Sequence, residues 1–208
     1  MLPRLYAITD ASASLSHVEQ VEAFVRGGAR LVQIRDKRAG GRELYEIVVA
    51  AVRIARGAGA QIVVNDGVDV ALAAAADGVH VGQGDLSAED ARRILGPDRI
   101  VGLSTHSREQ AAEASRLPVD YVAIGPVYAT STKENPDPVV GLEGVRAVRE
   151  IVSQPLVAIG GITLARAPEV IAAGADTVAV VSDLFVGPSI EARVLEYVEA
   201  FAMENSQG

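Results

Sequence analysis

The chain contains no cysteine. Disulfides, thiolate metal sites and cysteine nucleophiles are therefore all excluded. Aromatic residues make up only 4%, so the core has to come from aliphatic side chains. No apolar run approaches the about 20 residues that a membrane-spanning helix needs. The N-terminus lacks the charged-then-apolar layout of a signal peptide, and a cytoplasmic protein is expected. Basic charge is also scarce: 19 Lys and Arg stand against 27 Asp and Glu, a formal net charge of −8. Non-specific nucleic-acid binding needs a basic field and is disfavoured. Anionic ligands stay open if the few cations are gathered locally or a metal assists. Small molecules are thus the expected partners, with neither nucleic acid nor membrane, and a homo-oligomer remains compatible.

What is present is aliphatic. Hydrophobic residues make up 49% of 208, and Val and Ile occur in runs of four or five, as in strands buried on both faces. Strands are expected at 5–8, 30–34, 61–64, 78–81, 100–103, 121–124, 156–159 and 177–181. Helical segments lie between and after them, at 18–26, 43–56, 68–75, 88–95, 108–115, 143–152, 167–173 and 190–200. This alternation implies βαβ units and a parallel sheet. Eight repeats in this length predict a single α/β domain over 1–208, a (β/α)8 barrel, with the tail frayed from about 203. The alternative is a doubly wound open sheet, which would usually carry a Gly-rich fingerprint after its first strand. Here that strand ends Ala7-Ile-Thr-Asp10. A faint echo precedes every second strand: Gly28-Ala-Arg-Leu-Val-Gln33, Ala76-Asp-Gly-Val-His-Val81, Val119-Asp-Tyr-Val-Ala-Ile124 and Ala175-Asp-Thr-Val-Ala-Val180. It suggests similar two-unit modules or one shared turn geometry.

In such a barrel the C-terminal strand ends and the following loops build the site, and nearly every one is polar here. After strand two comes Gln33-Ile-Arg-Asp-Lys37, whose alternation points Gln33, Arg35 and Lys37 to one side. Two cations and an amide on one face suit a phosphate; a solvated strand end is the plainer reading. After strands three and four come Asn65-Asp66 and Gly82-Gln-Gly-Asp85. Each Asp alone reads as a helix N-cap or turn former. Two carboxylates on neighbouring strands, beside a basic strand end, favour a hard cation such as Mg²⁺. Strand five is followed by Gly102-Leu-Ser-Thr-His106, where Thr105 or Ser107 could cap the next helix. His106 reads as structural or as a proton carrier, His80 as an interior side chain with its bonds satisfied, and His17 as part of a helix start. After strand seven comes Ile159-Gly-Gly-Ile-Thr163, and Val180-Val-Ser182 ends strand eight. Glycines after strand seven with a polar turn after strand eight form the usual barrel phosphate site, or simply a tight turn. Two anion subsites are the expectation.

Between strand six and its helix runs Tyr128-Ala-Thr-Ser-Thr-Lys-Glu-Asn-Pro-Asp137, three hydroxyls and a lysine followed by turn formers. A loop this long inside a compact domain is usually functional or disordered.

Taken in order, Gln33-Ile-Arg-Asp-Lys37, Val64-Asn-Asp66, Gly78-Val-His-Val-Gly-Gln-Gly-Asp85, Gly102-Leu-Ser-Thr-His106, Gly125-Pro-Val-Tyr-Ala-Thr-Ser-Thr-Lys133 and Ala158-Ile-Gly-Gly-Ile162 resemble thiamine-phosphate synthase over nearly the whole chain. The resemblance implies a transferase joining hydroxymethylpyrimidine diphosphate to a thiazole phosphate. It implies that Gln33, Arg35, Lys37, Asn65, Ser104 and Lys133 bind the pyrimidine diphosphate, with Arg35, Lys37, Ser104 and Lys133 acting in the chemistry. It further implies Mg²⁺ on Asp66 and Asp85, and thiazole phosphate on Thr130, Ser131, Thr132, Gly161, Val181 and Ser182. A dissociative route follows from it, in which diphosphate leaves before the thiazole nitrogen attacks, under a loop that orders once both substrates are bound. A sister family, the thiazole tautomerase, carries a histidine in the turn after strand six; here that turn is Gly125-Pro126-Val127. A third reading is a phosphate-binding barrel without turnover. The chain departs from the synthase pattern in its short N-terminus, in the proline- and asparagine-bearing stretch 134–140, and in an extra acid, Asp183. That acid either points away from the phosphate or weakens its binding.

Overall fold

The structure is a computed structural model and describes residues 2–130 and 137–205. Eight parallel strands close in sequence order: β1 (Leu5–Ile8), β2 (Leu31–Ile34), β3 (Gln61–Asn65), β4 (Gly78–Val81), β5 (Ile100–Thr105), β6 (Tyr121–Ile124), β7 (Leu156–Ile159) and β8 (Thr177–Val180). The helices that follow them are α1 (His17–Arg26), α2 (Gly41–Gly57), α3 (Val68–Ala73), α4 (Ala88–Leu95), α5 (Arg108–Ala114), α6 (Gly141–Arg149), α7 (Ala167–Ala172) and α8 (Ile190–Asn205). The expected barrel is thus present, and the open sheet is not. A 3-10 turn over Ser182–Phe185 was not anticipated, and β3 and β5 run one and two residues past their expected ends. The end expected to fray from about 203 carries helix to Asn205.

Strand alternation sorts the core into two layers. Outward-facing Val, Ile and Leu such as Val32, Ile62, Val79, Val101 and Val122 pack under the helices. Inward-facing Tyr6, Leu31, Val63, Tyr121 and Val157 fill the barrel. Glycine makes room for one of the two large rings: a Cβ on Gly102 would overlap the ring of Tyr121.

The sequence echo has a structural cause. Asp77, Asp120 and Asp176 stand just before β4, β6 and β8. Their carboxylates accept the backbone N–H of Ile62, Val101 and Leu156, at 2.7, 2.7 and 2.8 Å. Their own N–H groups donate back to the carbonyls of the same three residues, each at 2.8 Å. Each aspartate therefore clamps an odd strand to the even one after it, at the face of the barrel that governs stability. In the first copy Arg30 replaces the acid, and the clamp is absent there among the described residues.

Ser16, Ser87 and Ser107 cap α1, α4 and α5, accepting from Glu19, Asp90 and Gln110 N–H groups. Of the two candidates for α5, Ser107 is the cap, while Thr105 Oγ1 donates to the Ala123 carbonyl at 2.8 Å.

Candidate active site

The C-terminal mouth opens into a cavity of about 550 Å³, within the size range of small-ligand sites. On the β2 side it is lined by Gln33, Arg35 and Lys37, as alternation predicts. The loop carrying them is held from two directions. Thr9 Oγ1 accepts from the Arg35 N–H at 3.0 Å. Asp36 accepts from the Arg38 and Ala39 N–H groups at 2.8 and 3.1 Å and pairs with His17 Nε2 at 3.0 Å. Burial alone would raise the Asp36 carboxyl, yet these bonds hold it below the usual carboxylate range. His17 is the first residue of α1, as expected, but its link to Asp36 was not foreseen.

Asp66 and Asp85 line the same side. Asp66 follows β3 with φ 63°, a left-handed conformation that Asp tolerates better than most residues. Its carboxyl is held above the ordinary range, first by burial and then by the neighbouring Asp85; Lys37 Nζ, at 3.5 Å, opposes this. Asp85 Oδ2 also accepts the Gly82 N–H at 2.8 Å, so the turn-former reading and the proximity reading both hold. Among the described residues no three acidic or histidine side chains gather for a metal. The donor set is two oxygen carboxylates in mutual repulsion with the Asn65 amide alongside. It fits a hard divalent cation that takes its remaining ligands from substrate and water.

Opposite, Gly160 and Gly161 adopt φ 104° and 62°. A Cβ on Gly161 would lie 2.5 Å from the Ala129 carbonyl oxygen, so this turn has to be glycine to approach the loop after β6. Val181, Ser182 and Thr130 complete this wall. Ser131, Thr132 and Lys133 lie outside the described residues. Asp183 turns away from the cavity. Its Oδ2 accepts from Leu164 N–H at 3.0 Å, Arg193 Nη2 at 2.7 Å and Tyr197 O–H at 2.7 Å. It thereby ties the turn after β7 and the end of β8 to α8, and the expectation that it points away is the one that holds.

Reading the sequence missed the floor. Gln33 Nε2 donates to Tyr6 Oη at 2.9 Å, Tyr6 and Tyr121 hydroxyls meet at 3.1 Å, and Tyr121 Oη meets His80 Nδ1 at 2.9 Å. His80 Nε2 then meets Ser104 Oγ at 2.7 Å. Both His80 nitrogens are satisfied, as expected, and burial pushes its imidazole down to about 4, against a weaker pull from Asp85. Burial also lifts both phenols well above their ordinary range. The available signal was two inward-facing tyrosines in an aromatic-poor barrel, since a buried phenol needs a partner for its O–H. His106 lines the cavity too, with Nδ1 2.8 Å from the Gly125 carbonyl.

A closed parallel barrel whose mouth combines a cationic strand end, a carboxylate pair and a positive-φ glycine turn belongs to the enzyme-type barrels, whose small-molecule sites lie at this face. The particular family follows from comparison: the model described as thiamine monophosphate synthase matches residues 5–184, and the chain belongs to that family. It is 49% identical over 195 residues to thiamine-phosphate synthase of Koribacter versatilis, covering 90% of this chain and 91% of that one. The corresponding protein of Chloroflexus aurantiacus is 46% identical over 191 residues, covering 91% and 88%. Thiamine phosphate pyrophosphorylase from Pyrococcus furiosus superposes with a TM-score of 0.87 at 39% identity, over 97% of this chain and 96% of that one. The chain is accordingly a transferase of thiamine biosynthesis.

Proposed function

We propose that the chain condenses 4-amino-5-hydroxymethyl-2-methylpyrimidine diphosphate with 4-methyl-5-(2-phosphooxyethyl)thiazole to give thiamine phosphate and diphosphate in the cytoplasm, or with the carboxylated form of that thiazole to give the same products and carbon dioxide. The observation that carries this reading is one cavity with two unlike walls, a cationic strand end with Gln33, Arg35 and Lys37 and a glycine turn with Gly161, Val181 and Ser182.

In this reading the β2 wall takes the pyrimidine diphosphate, with Asn65, Ser104 and Lys133 assisting. The glycine turn takes the thiazole phosphate with Thr130, Ser131 and Thr132. Asp66 and Asp85 would hold Mg²⁺, which would supply positive charge beside the diphosphate. The carbon–oxygen bond to the diphosphate breaks, and both electrons leave with it. The thiazole nitrogen lone pair then forms the new carbon–nitrogen bond to the pyrimidine-stabilised cation. No side chain has to act as nucleophile or strong base in this route. Arg35, Lys37 and Lys133 stabilise charge developing on the leaving group, and exclusion of water from the site would keep the cation from being trapped.

The test is a coupling assay with both substrates, with and without Mg²⁺, reading thiamine phosphate and diphosphate together. Metal-dependent formation of both is expected; diphosphate release without thiamine phosphate, or no product, would overturn the reading.

A further inference from the structure

The polar chain across the barrel floor has a direction. The Gln33 amide nitrogen can only donate, so Tyr6 Oη accepts from it at 2.9 Å. Among the described residues the other partner of Tyr6 Oη is Tyr121 Oη at 3.1 Å, and giving the Tyr6 hydrogen to it sets the direction of the chain. Tyr121 in turn gives its hydrogen to His80 Nδ1 at 2.9 Å. A ring nitrogen that accepts is bare, so the proton of the neutral ring sits on Nε2 and is donated to Ser104 Oγ at 2.7 Å. The Ser104 hydroxyl, having accepted, keeps its own hydrogen for the cavity that it lines. At the other end, one N–H of the Gln33 amide goes to Tyr6, and Oε1, on the opposite side of the amide, is left as its acceptor toward that cavity. Both phenols are buried, so each link is a direct protein–protein hydrogen bond in the ligand-free chain.

We propose that Tyr6 and Tyr121 are positioning residues for heterocycle selection: they form a one-way hydrogen-bond relay that presents Gln33 as an acceptor and Ser104 as a donor. The inference rests on the reading that Gln33 and Ser104 meet the pyrimidine. A 4-aminopyrimidine offers amino N–H donors at one edge and a ring-nitrogen lone pair across the ring, which complements that polarity. A 4-oxopyrimidine offers an acceptor where the amino group stood, and the Gln33 oxygen opposes it. Reversing the polarity would require the amide to rotate and every hydroxyl and the imidazole proton to shift together. Without the Tyr121 hydroxyl, Tyr6 is free to donate to Gln33 Oε1. The amide can then turn its nitrogen to the cavity.

Two measurements test this. In the ligand-free wild-type protein, ¹⁵N NMR of His80, assigned by its loss in His80→Gln, should show a bare Nδ1 and a protonated Nε2. The opposite tautomer, or an even mixture, would overturn the relay. Second, kcat/KM for the 4-amino over the 4-oxo pyrimidine diphosphate should favour the amino compound by about 100-fold or more in wild type. It should fall below about tenfold in Tyr121→Phe. The KM for thiazole phosphate should stay within about twofold. An unchanged preference in a folded Tyr121→Phe, together with an unchanged tautomer, would refute the proposal. Should Tyr121→Phe fail to fold, the wild-type spectrum and the Tyr6→Phe preference decide in its place. Gln33→Ala with an unchanged KM for the pyrimidine diphosphate would remove the substrate assignment while leaving the tautomer result standing.

Discussion

Replacing Asp183 by Ala should damage one half of the site and spare the other. The carboxylate oxygen Oδ2 holds Leu164 N–H, Arg193 and Tyr197 O–H at once. Its side chain is 9% exposed and that of Arg193 18%. Breaking one partner out of a fully buried pair costs about 3–5 kcal/mol. Arg193 has some access to water and a second partner, Glu196, at 2.8 Å, so the lower end, about 3 kcal/mol, is expected. At about 2–4 °C per kcal/mol for a chain of this size, Tm should fall by roughly 6–12 °C in differential scanning calorimetry. The functional consequence follows from position. Leu164 follows closely on the Gly160–Gly161 turn and Ser182 immediately precedes Asp183, so the wall proposed to take the thiazole phosphate loses its anchor. Its KM should rise about tenfold, equivalent to about 1.4 kcal/mol of binding, while that for the pyrimidine diphosphate stays within about twofold. A Tm shift below about 2 °C, or equal rises in both KM values, would refute the reasoning.

Three further outcomes are expected. The native Asp66 carboxyl binds its proton more tightly than an unfolded one, so metal-free stability falls as pH rises through that raised range. Asp85→Asn removes one cause and keeps an acceptor for Gly82 N–H. The metal-free urea midpoint at pH 7 should therefore rise while Mg²⁺-dependent turnover drops by about 100-fold or more; a lower midpoint would contradict the repulsion. Gly161→Ala places a side chain at φ 62° against Ala129, at about 1–2 kcal/mol of backbone strain. The KM for thiazole phosphate should rise about fivefold or more in steady-state assays. Gly102→Ala drives a methyl group into the Tyr121 ring, and a Tm loss matching about 1–3 kcal/mol should appear on thermal unfolding.

Much of the barrel was legible because its strands are short aliphatic runs between helical segments, and period alone separates the two. The ends were less so. Asn65 and Ser104 read as residues beyond their strands, yet they pair with His80 and Ala123 inside the sheet. The 3-10 turn at Ser182 carries no periodic pattern long enough to detect. In the site, Gln33, Arg35 and Lys37 were readable from alternation, and the glycine pair from its place after β7. Tyr6 and Tyr121 were not, because a tyrosine in an apolar strand looks like core. Only barrel closure brings residues 115 positions apart within one hydrogen bond. Asp183 was ambiguous for a similar reason: its partners come from α7's approach and from α8, not from its own strand.

The way the rings share the barrel interior bears on how this scaffold can be retargeted. The ring of Tyr121 occupies space that Gly102 leaves open, and its hydroxyl sits between Tyr6 and His80. Heterocycle choice, in the relay proposed above, is written on β1, β2, β4, β5 and β6, where a change at one position strands a neighbour's hydrogen bond. The groups proposed to hold the anionic tails sit mostly on turns, whose positions other than the glycine pair tolerate variation. Directed evolution confined to the loops should therefore alter the anionic tails a substrate carries and leave its base unchanged. A new base demands a concerted library across five strands.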